Sequence, residues 1–251
     1  MNPIVFLHGF TGVPENFNAI FKGLNESHQV IAPVLLGHFG GPQQGESFTT
    51  EVSRLAQRIA SQARSPAVLV GYSLGARLAL GIAAQNPAAV RALILISVNP
   101  GLRTADERTA RVASDEHLAR FLEQHGTAAF ITQRWESQPL FGSQRALPAA
   151  VLQEQRSQRQ RHDAVGLAHC LRTLGLGVMP NYWDDLARIA SGVPTTLLTG
   201  TLDEKFHGLA AEICDVSPKI DWLCAPNVGH NLLLEAPELV LRLVQHTLHT
   251  H

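Results

Sequence analysis

The run Ala67-Val68-Leu69-Val70-Gly71-Tyr72-Ser73-Leu74-Gly75 restricts this chain more than any other stretch. Apolar residues without alternation stop at a serine that has a glycine two places to either side. Passing directly from a strand into a helix puts the turn residue into strained backbone angles, and flanking glycines remove the Cβ atoms that would collide across so sharp a turn. Ser73 is therefore expected at the carboxyl end of a buried strand. Beyond it Leu74, Leu78 and Ile82, with small Gly75, Ala79, Gly81 and Ala83 between them, suit a helix packed closely on a sheet, and Pro87 marks its stop. The amino end of that helix, whose orphan N–H groups favour negative charge, then lies beneath Ser73. A plain surface Gly/Ser turn would not account for the strand and helix patterns on either side.

The same alternation of strand and helix recurs along the chain. Ile4-Val5-Phe6-Leu7 ends in the glycine-containing loop His8-Gly9-Phe10-Thr11-Gly12, and Val30-Ile31-Ala32-Pro33 leads into Leu36-Gly37-His38-Phe39-Gly40-Gly41-Pro42. Val52, Leu55, Ala56, Ile59 and Ala63 recur at helical spacing. Ala92–Ile96 and Thr195–Thr199 are further strands, the latter running through Gly200-Thr201-Leu202-Asp203 into a helix. Ile220–Cys224 leads through Gly229-His230 to a last helix after Pro237. Unalternated apolar runs suit strands buried on both faces of a parallel sheet. The expected fold class is α/β, a mostly parallel, doubly wound sheet of about six strands. Between about Pro100 and Pro180 no strand-like run occurs. Helical patterns take over, starting at the capping box Thr104-Ala105-Asp106-Glu107. The organisation expected is a core from residues 1–98 and 181–251 with a helical lid, 99–180, inserted after the fourth strand. Ten of the seventeen arginines fall in the lid, most of them expected on solvated or paired helix faces beside eight acidic residues.

A chain of 251 residues, 45% hydrophobic and 16% charged, can bury a sizeable core. Its net charge of −1 gives no reason to expect nucleic acid or an anionic membrane as partner. Cys170, Cys214 and Cys224 are scattered, without metal-ligand spacing, which suits reduced thiols and no metal site. No export signal and no membrane span are read, so a cytoplasmic protein is expected.

A serine hydroxyl becomes a nucleophile or base only when an imidazole takes its proton, and a carboxylate must orient that imidazole. The order Ser73, Asp203, His230 supplies such a set, each at the carboxyl end of a strand. Asp184, Asp185 and Asp221 compete weakly with Asp203, because the first two open a helix and the third lies within a strand. The backbone N–H groups of Phe10 and Leu74 are the expected oxyanion hole. Arg77 lies one helical turn beyond Ser73, where a carboxylate clamp would explain a cation in the same cleft. Lys205 reads equally as a surface lysine or a ligand contact, whereas Trp135 and Phe141 read as lid core ahead of ligand wall.

Order and motifs together resemble the α/β-hydrolase family over essentially the whole chain outside the lid. The resemblance implies a six-stranded parallel sheet without the opening antiparallel hairpin, and Val34 departs from the aspartate usual in the loop after the second strand. Gly71-Tyr72-Ser73-Leu74-Gly75-Ala76-Arg77, Asn99-Pro100-Gly101-Leu102, Arg108-Thr109-Ala110-Arg111, Trp135-Glu136-Ser137-Gln138-Pro139-Leu140-Phe141 and Asp203-Glu204-Lys205-Phe206 are similar, more narrowly, to the 2-succinyl-6-hydroxy-2,4-cyclohexadiene-1-carboxylate synthases of menaquinone biosynthesis. Those enzymes eliminate pyruvate from a substrate with three carboxylates. The resemblance implies anion-binding roles for Arg77, Arg111 and Lys205, with Tyr72 and Trp135 lining the site. Arg156, in Gln155-Arg156-Ser157, matches a further family arginine through lid sequence that diverges. A small polycarboxylate ligand and no cofactor follow. The alternatives are a carboxylesterase working on a small acidic ester through an acyl-serine, and a binding or scaffold protein, against which an intact triad counts.

Overall fold

A computed structural model of the chain describes residues 2–24 and 28–251. Six parallel strands form one sheet: β1 (Asn2–Leu7), β2 (His28–Ile31), β3 (Ala67–Tyr72), β4 (Val90–Ile96), β5 (Thr195–Gly200) and β6 (Asp221–Ala225), in the order β2-β1-β3-β4-β5-β6. Successive side chains on a strand point to opposite faces, and both faces here are covered. Val5, Leu7, Leu69, Leu93, Leu95 and Leu197 pack into one core with α1 (Phe48–Gln62) and α2 (Leu74–Gln85). Their neighbours Ile4, Phe6, Val68, Val70, Ile94, Ile96 and Leu198 face the other core, with Phe17, Ile20 and the carboxyl-terminal helix. That two-sided burial is the physical cause of the unalternated apolar runs.

The second strand begins two residues earlier than its apolar run suggests, because Asn2 of β1 pairs with His28. It ends before Ala32-Pro33, since proline has no N–H to give the ladder. Between β4 and β5 the chain forms α3 (Ala105–Phe130), a π-helical turn (Ile131–Trp135), a 3-10 segment (Pro139–Ala146), α4 (Ala149–Gln160), α5 (Ala164–Leu174) and α6 (Leu186–Gly192). Thr104 and Glu107 form the reciprocal capping box that starts α3, and Gly126, at φ 78° and ψ 169°, kinks it. A small core of Ala119, Leu122, Phe130, Ile131, Leu167, Ala168 and Leu171 joins these helices, with Phe10 packed against it. The fold closes with α7 (Glu204–Val216) and α8 (Pro237–Thr250). No helix of the described residues is long and apolar enough to cross a membrane.

Strand order reverses beside β1: β2 lies on one side of it and every later strand on the other. The crevice above the carboxyl ends of β1 and β3 is thus a topological switch point, where open α/β sheets hold ligands. The register Leu7↔Gly71 sets the loop after β1 against the turn after β3.

Candidate active site

Ser73 occupies that turn at φ 52° and ψ −108°, a backbone position that side chains rarely adopt. Its neighbours make the turn possible. A Cβ on Gly71 would come within 2.5 Å of the Ala76 Cα and the Gly75 carbonyl, and one on Gly75 within 2.0 Å of the Leu7 carbonyl. The Ser73 N–H is held by the Ile96 carbonyl at 2.9 Å. His230 follows β6 in a loop braced by Glu235, whose carboxylate accepts from the N–H groups of Gly229 (2.8 Å) and Asn231 (3.3 Å) on either side of it. Asp203, at the start of α7, accepts a 2.7 Å hydrogen bond from His230 Nδ1. That bond fixes the proton on Nδ1 and leaves Nε2 to accept from the Ser73 hydroxyl at 3.2 Å. His230 and Asp203 are both buried, and the Phe206 ring lies 4.5 Å from the imidazole. The structure thus brings together the three side chains read from the sequence as a triad.

Phe10 and Leu74 border the same cavity as Ser73 and His230. Leu74 N–H is one of the amides at the start of α2 without an intrahelical acceptor. The loop carrying Phe10 rests on three buried histidines with neutral, fully bonded rings. His8 Nδ1 donates to the Gly9 carbonyl (2.9 Å) and its Nε2 accepts from Leu35 N–H (3.1 Å). His38 Nδ1 donates to the Leu36 carbonyl (3.0 Å) and its Nε2 accepts from Thr11 N–H (3.0 Å). His162, between α4 and α5, accepts from Phe39 N–H (2.9 Å) and donates to the Thr11 carbonyl (3.0 Å). Burial drives the pKa of His8 down to about 3 and that of His162 to about 4, and holds His38 well below its usual value.

An acid sensitivity follows from these neutral rings. In the unfolded chain each imidazole takes a proton near pH 6.5, which the native state refuses until about pH 4 or lower. The stabilisation is complete above about pH 6.5 and is lost as pH falls through that window, by about 1.4 kcal/mol per pH unit for each histidine. Melting temperatures between pH 7 and pH 4.5 check this, and a flat profile contradicts it.

The cleft has two chambers that meet at Ser73 and His230. The first, about 580 Å³, is walled by Arg77, Arg111, Asp115, Trp135 and Leu174, with the exposed Glu204 and Lys205 on its rim. Arg111 pairs with the buried Asp115 at 2.8 Å. Arg77 differs. Among the described residues it bonds only the Leu174 carbonyl (2.8 Å) and the Met179 sulfur (3.5 Å), and no carboxylate of them lies within 4.0 Å. Burial, then the Arg111 charge, lowers its pKa to about 10. Desolvation and Arg111 lower that of Lys205 as well. The second chamber, about 490 Å³, is walled by Tyr72, Trp135, Phe141, Gln155 and Arg159. Burial raises the Tyr72 phenol above its ordinary value. Trp135 closes both chambers from the end of the π-helical turn, its Nε1 buried without a partner among the described residues. Phe141 is buried and lines the second chamber.

Arg156 is the one expected site residue that the structure does not bring to the cleft. It is half exposed, pairs with Glu136 at 2.7 Å and lines neither chamber. Arg159, three residues on, is buried instead. It faces the second chamber with one long contact to Glu136 (3.4 Å) and its guanidinium 5.1 Å from the Phe141 ring. The inward stripe of α4 is polar, Gln155 and Arg159, so hydrophobic periodicity carried no signal for it.

Residues 4–243 match the family model described as Alpha/beta hydrolase family. The chain is 36% identical over 245 residues to a Bacillus subtilis (strain 168) protein provisionally named 2-succinyl-6-hydroxy-2,4-cyclohexadiene-1-carboxylate synthase, covering 96% of this chain and 88% of that one. It is 31% identical over 240 residues to the Escherichia coli (strain K12 / DH10B) enzyme of the same name, covering 95% and 90%. Its fold superposes on MenH from S. aureus with a TM-score of 0.91 at 29% identity, over 99% of this chain and 93% of that one. The chain belongs to the alpha/beta hydrolase family, within the branch of the 2-succinyl-6-hydroxy-2,4-cyclohexadiene-1-carboxylate synthases.

Proposed function

We propose that this protein is the synthase its relatives are named for, a lyase of menaquinone biosynthesis that eliminates pyruvate from 2-succinyl-5-enolpyruvyl-6-hydroxy-3-cyclohexene-1-carboxylate. The carrying observation is Arg77. A part-buried guanidinium with no carboxylate within 4.0 Å among the described residues, its neighbour Asp115 already paired with Arg111, is costly to keep in a cavity shared with Ser73 unless the ligand brings the negative charge. Arg111 and Lys205 border the same chamber, and Arg159 serves the other. A substrate with three carboxylates, lying across both chambers, meets cations at each end. A neutral ester has no use for them.

In this reading Ser73 is the base rather than an acylated nucleophile. His230, oriented by Asp203, takes the Ser73 proton as the serine oxygen removes a proton from the substrate ring. The C–H electron pair becomes a ring double bond, the C–O bond to the enolpyruvyl group breaks, and pyruvate leaves as its enolate, to be protonated. Charge developing on the substrate is met by the Phe10 and Leu74 amides at the head of α2. The segment between β4 and β5 acts as the lid that excludes water.

The purified protein given this substrate should produce diene absorbance and pyruvate in equal amounts, and quenched samples should show no mass increase on Ser73. An acyl adduct trapped from that substrate would move the assignment to the carboxylesterase alternative, which must pass through one. Failure to turn the substrate over would remove the lyase reading.

A further inference from the structure

Thr11, next to the proposed oxyanion donor Phe10, has a left-handed backbone at φ 62°, unusual for a β-branched residue. Both polar groups of its main chain end on imidazoles. Its N–H donates to His38 Nε2 from the loop after β2, and its carbonyl accepts from His162 Nε2, which lies in the inserted helices. The two rings meet edge to face at 5.1 Å. Thr127 Oγ1, on α3, donates to the His162 carbonyl at 2.8 Å, tying that residue to the lid. On the other side His8 and Gly12 N–H both donate to the Gly9 carbonyl, the far end of the peptide whose N–H belongs to Phe10. A trans peptide is planar, so holding its carbonyl sets the direction of its N–H. Neutral imidazoles suit this clamp because each presents one donor and one acceptor in fixed geometry.

We infer that His38 and His162 are positioning residues that hold Thr11 in its left-handed conformation and thereby aim the Phe10 N–H at the developing oxyanion. The Thr11 bond of His162 makes that aim depend on the lid being docked. Neither residue lines either chamber, so neither is expected to touch substrate. The inference rests on the proposed oxyanion role of Phe10, but not on the identity of the substrate.

Paired variants test it, because at both positions the bond to Thr11 is made by Nε2 and the other bond by Nδ1. Glutamine reaches the Nε2 position and can keep the Thr11 bond, whereas asparagine reaches only Nδ1. His162→Asn should therefore lower kcat tenfold or more with little change in KM, and His162→Gln should stay within about threefold of wild type, although both lose a buried hydrogen bond and similar thermal stability. His38→Asn and His38→Gln should divide the same way. A second readout is independent of the reaction: phenylboronic acid, whose adduct on Ser73 is a tetrahedral anion, should bind His162→Asn about tenfold more weakly and His162→Gln as wild type does. Should the wild type fail to turn over the proposed substrate, the lyase reading falls while the boronate comparison still decides the positioning role. Equal losses in the Asn and Gln variants, in step with melting temperature, would reduce both histidines to structural residues. No boronate adduct on the wild type, or variants indistinguishable from it, would also overturn the inference.

Discussion

Ser73→Ala lowers kcat/KM by at least about a thousandfold, roughly 4 kcal/mol of transition-state stabilisation, with the melting temperature unchanged. The hydroxyl stands at a strained turn with its oxygen 3.2 Å from His230 Nε2, and no other side chain of the described triad can take a proton at that point. His230→Ala has an effect of the same size, and the double variant is hardly worse than either, because the two act as one unit. Asp203→Asn leaves the imidazole in place without the charge that fixes its proton on Nδ1, so a loss of several hundredfold or more is expected. Steady-state kinetics of the four variants beside their melting curves provide the check. Any single variant retaining a tenth of the wild-type rate contradicts the assignment.

The second large effect concerns the cations. Arg77→Met and Arg159→Met keep the aliphatic volume and delete the charge, and each should weaken kcat/KM for the tricarboxylate by about 2 to 4 kcal/mol. Arg111→Met should act similarly, with added cost from leaving Asp115 unpaired. Lys205→Ala, on the exposed rim, should cost only about 1 kcal/mol. Hydrolysis of a neutral short-chain ester should hardly change in any of them. Arg77→Met should change the melting temperature little, since the part-buried charge it removes has no carboxylate within 4.0 Å among the described residues while the hydrogen bond to the Leu174 carbonyl is lost with it. The ratio of the two activities is the measurement. If both fall in step, or if the neutral ester is the better wild-type substrate, the anionic-substrate reading fails.

What the sequence disclosed and what it withheld divide along a physical line. The elbow at Ser73 was readable because its strain demands glycine at fixed offsets, and the positions of Asp203 and His230 because each follows an apolar strand run. The lid arginines were different. Arg156 and Arg159 lie three apart on one helix and touch the same Glu136, yet one is half exposed and the other buried. Which of them faces the cleft depends on how α4 packs, and a helix whose inward stripe is itself polar gives no periodic clue. The pairing of His38 with His162 joins loops 124 residues apart through backbone groups. Nothing local in the sequence could announce it. Strand edges moved by one or two residues where ladder partners, rather than side-chain hydrophobicity, determined the ends.

The position of the inserted helices has a consequence for folding and divergence. Leu93 of β4 pairs with Thr195 of β5, so the sheet cannot be completed until a loop of about a hundred residues has closed. Closure entropy grows only with the logarithm of loop length, and twenty residues more or fewer would change it by roughly 0.2 kcal/mol. The length of the segment that covers the cleft is therefore almost free to drift, while the rate at which β5 finds β4 is not, because distant pairings slow folding. Insertions and deletions among relatives should concentrate between these two strands, and the last two strands should join the sheet late in refolding. Chains of this build can change what they accept faster than they change how they are assembled.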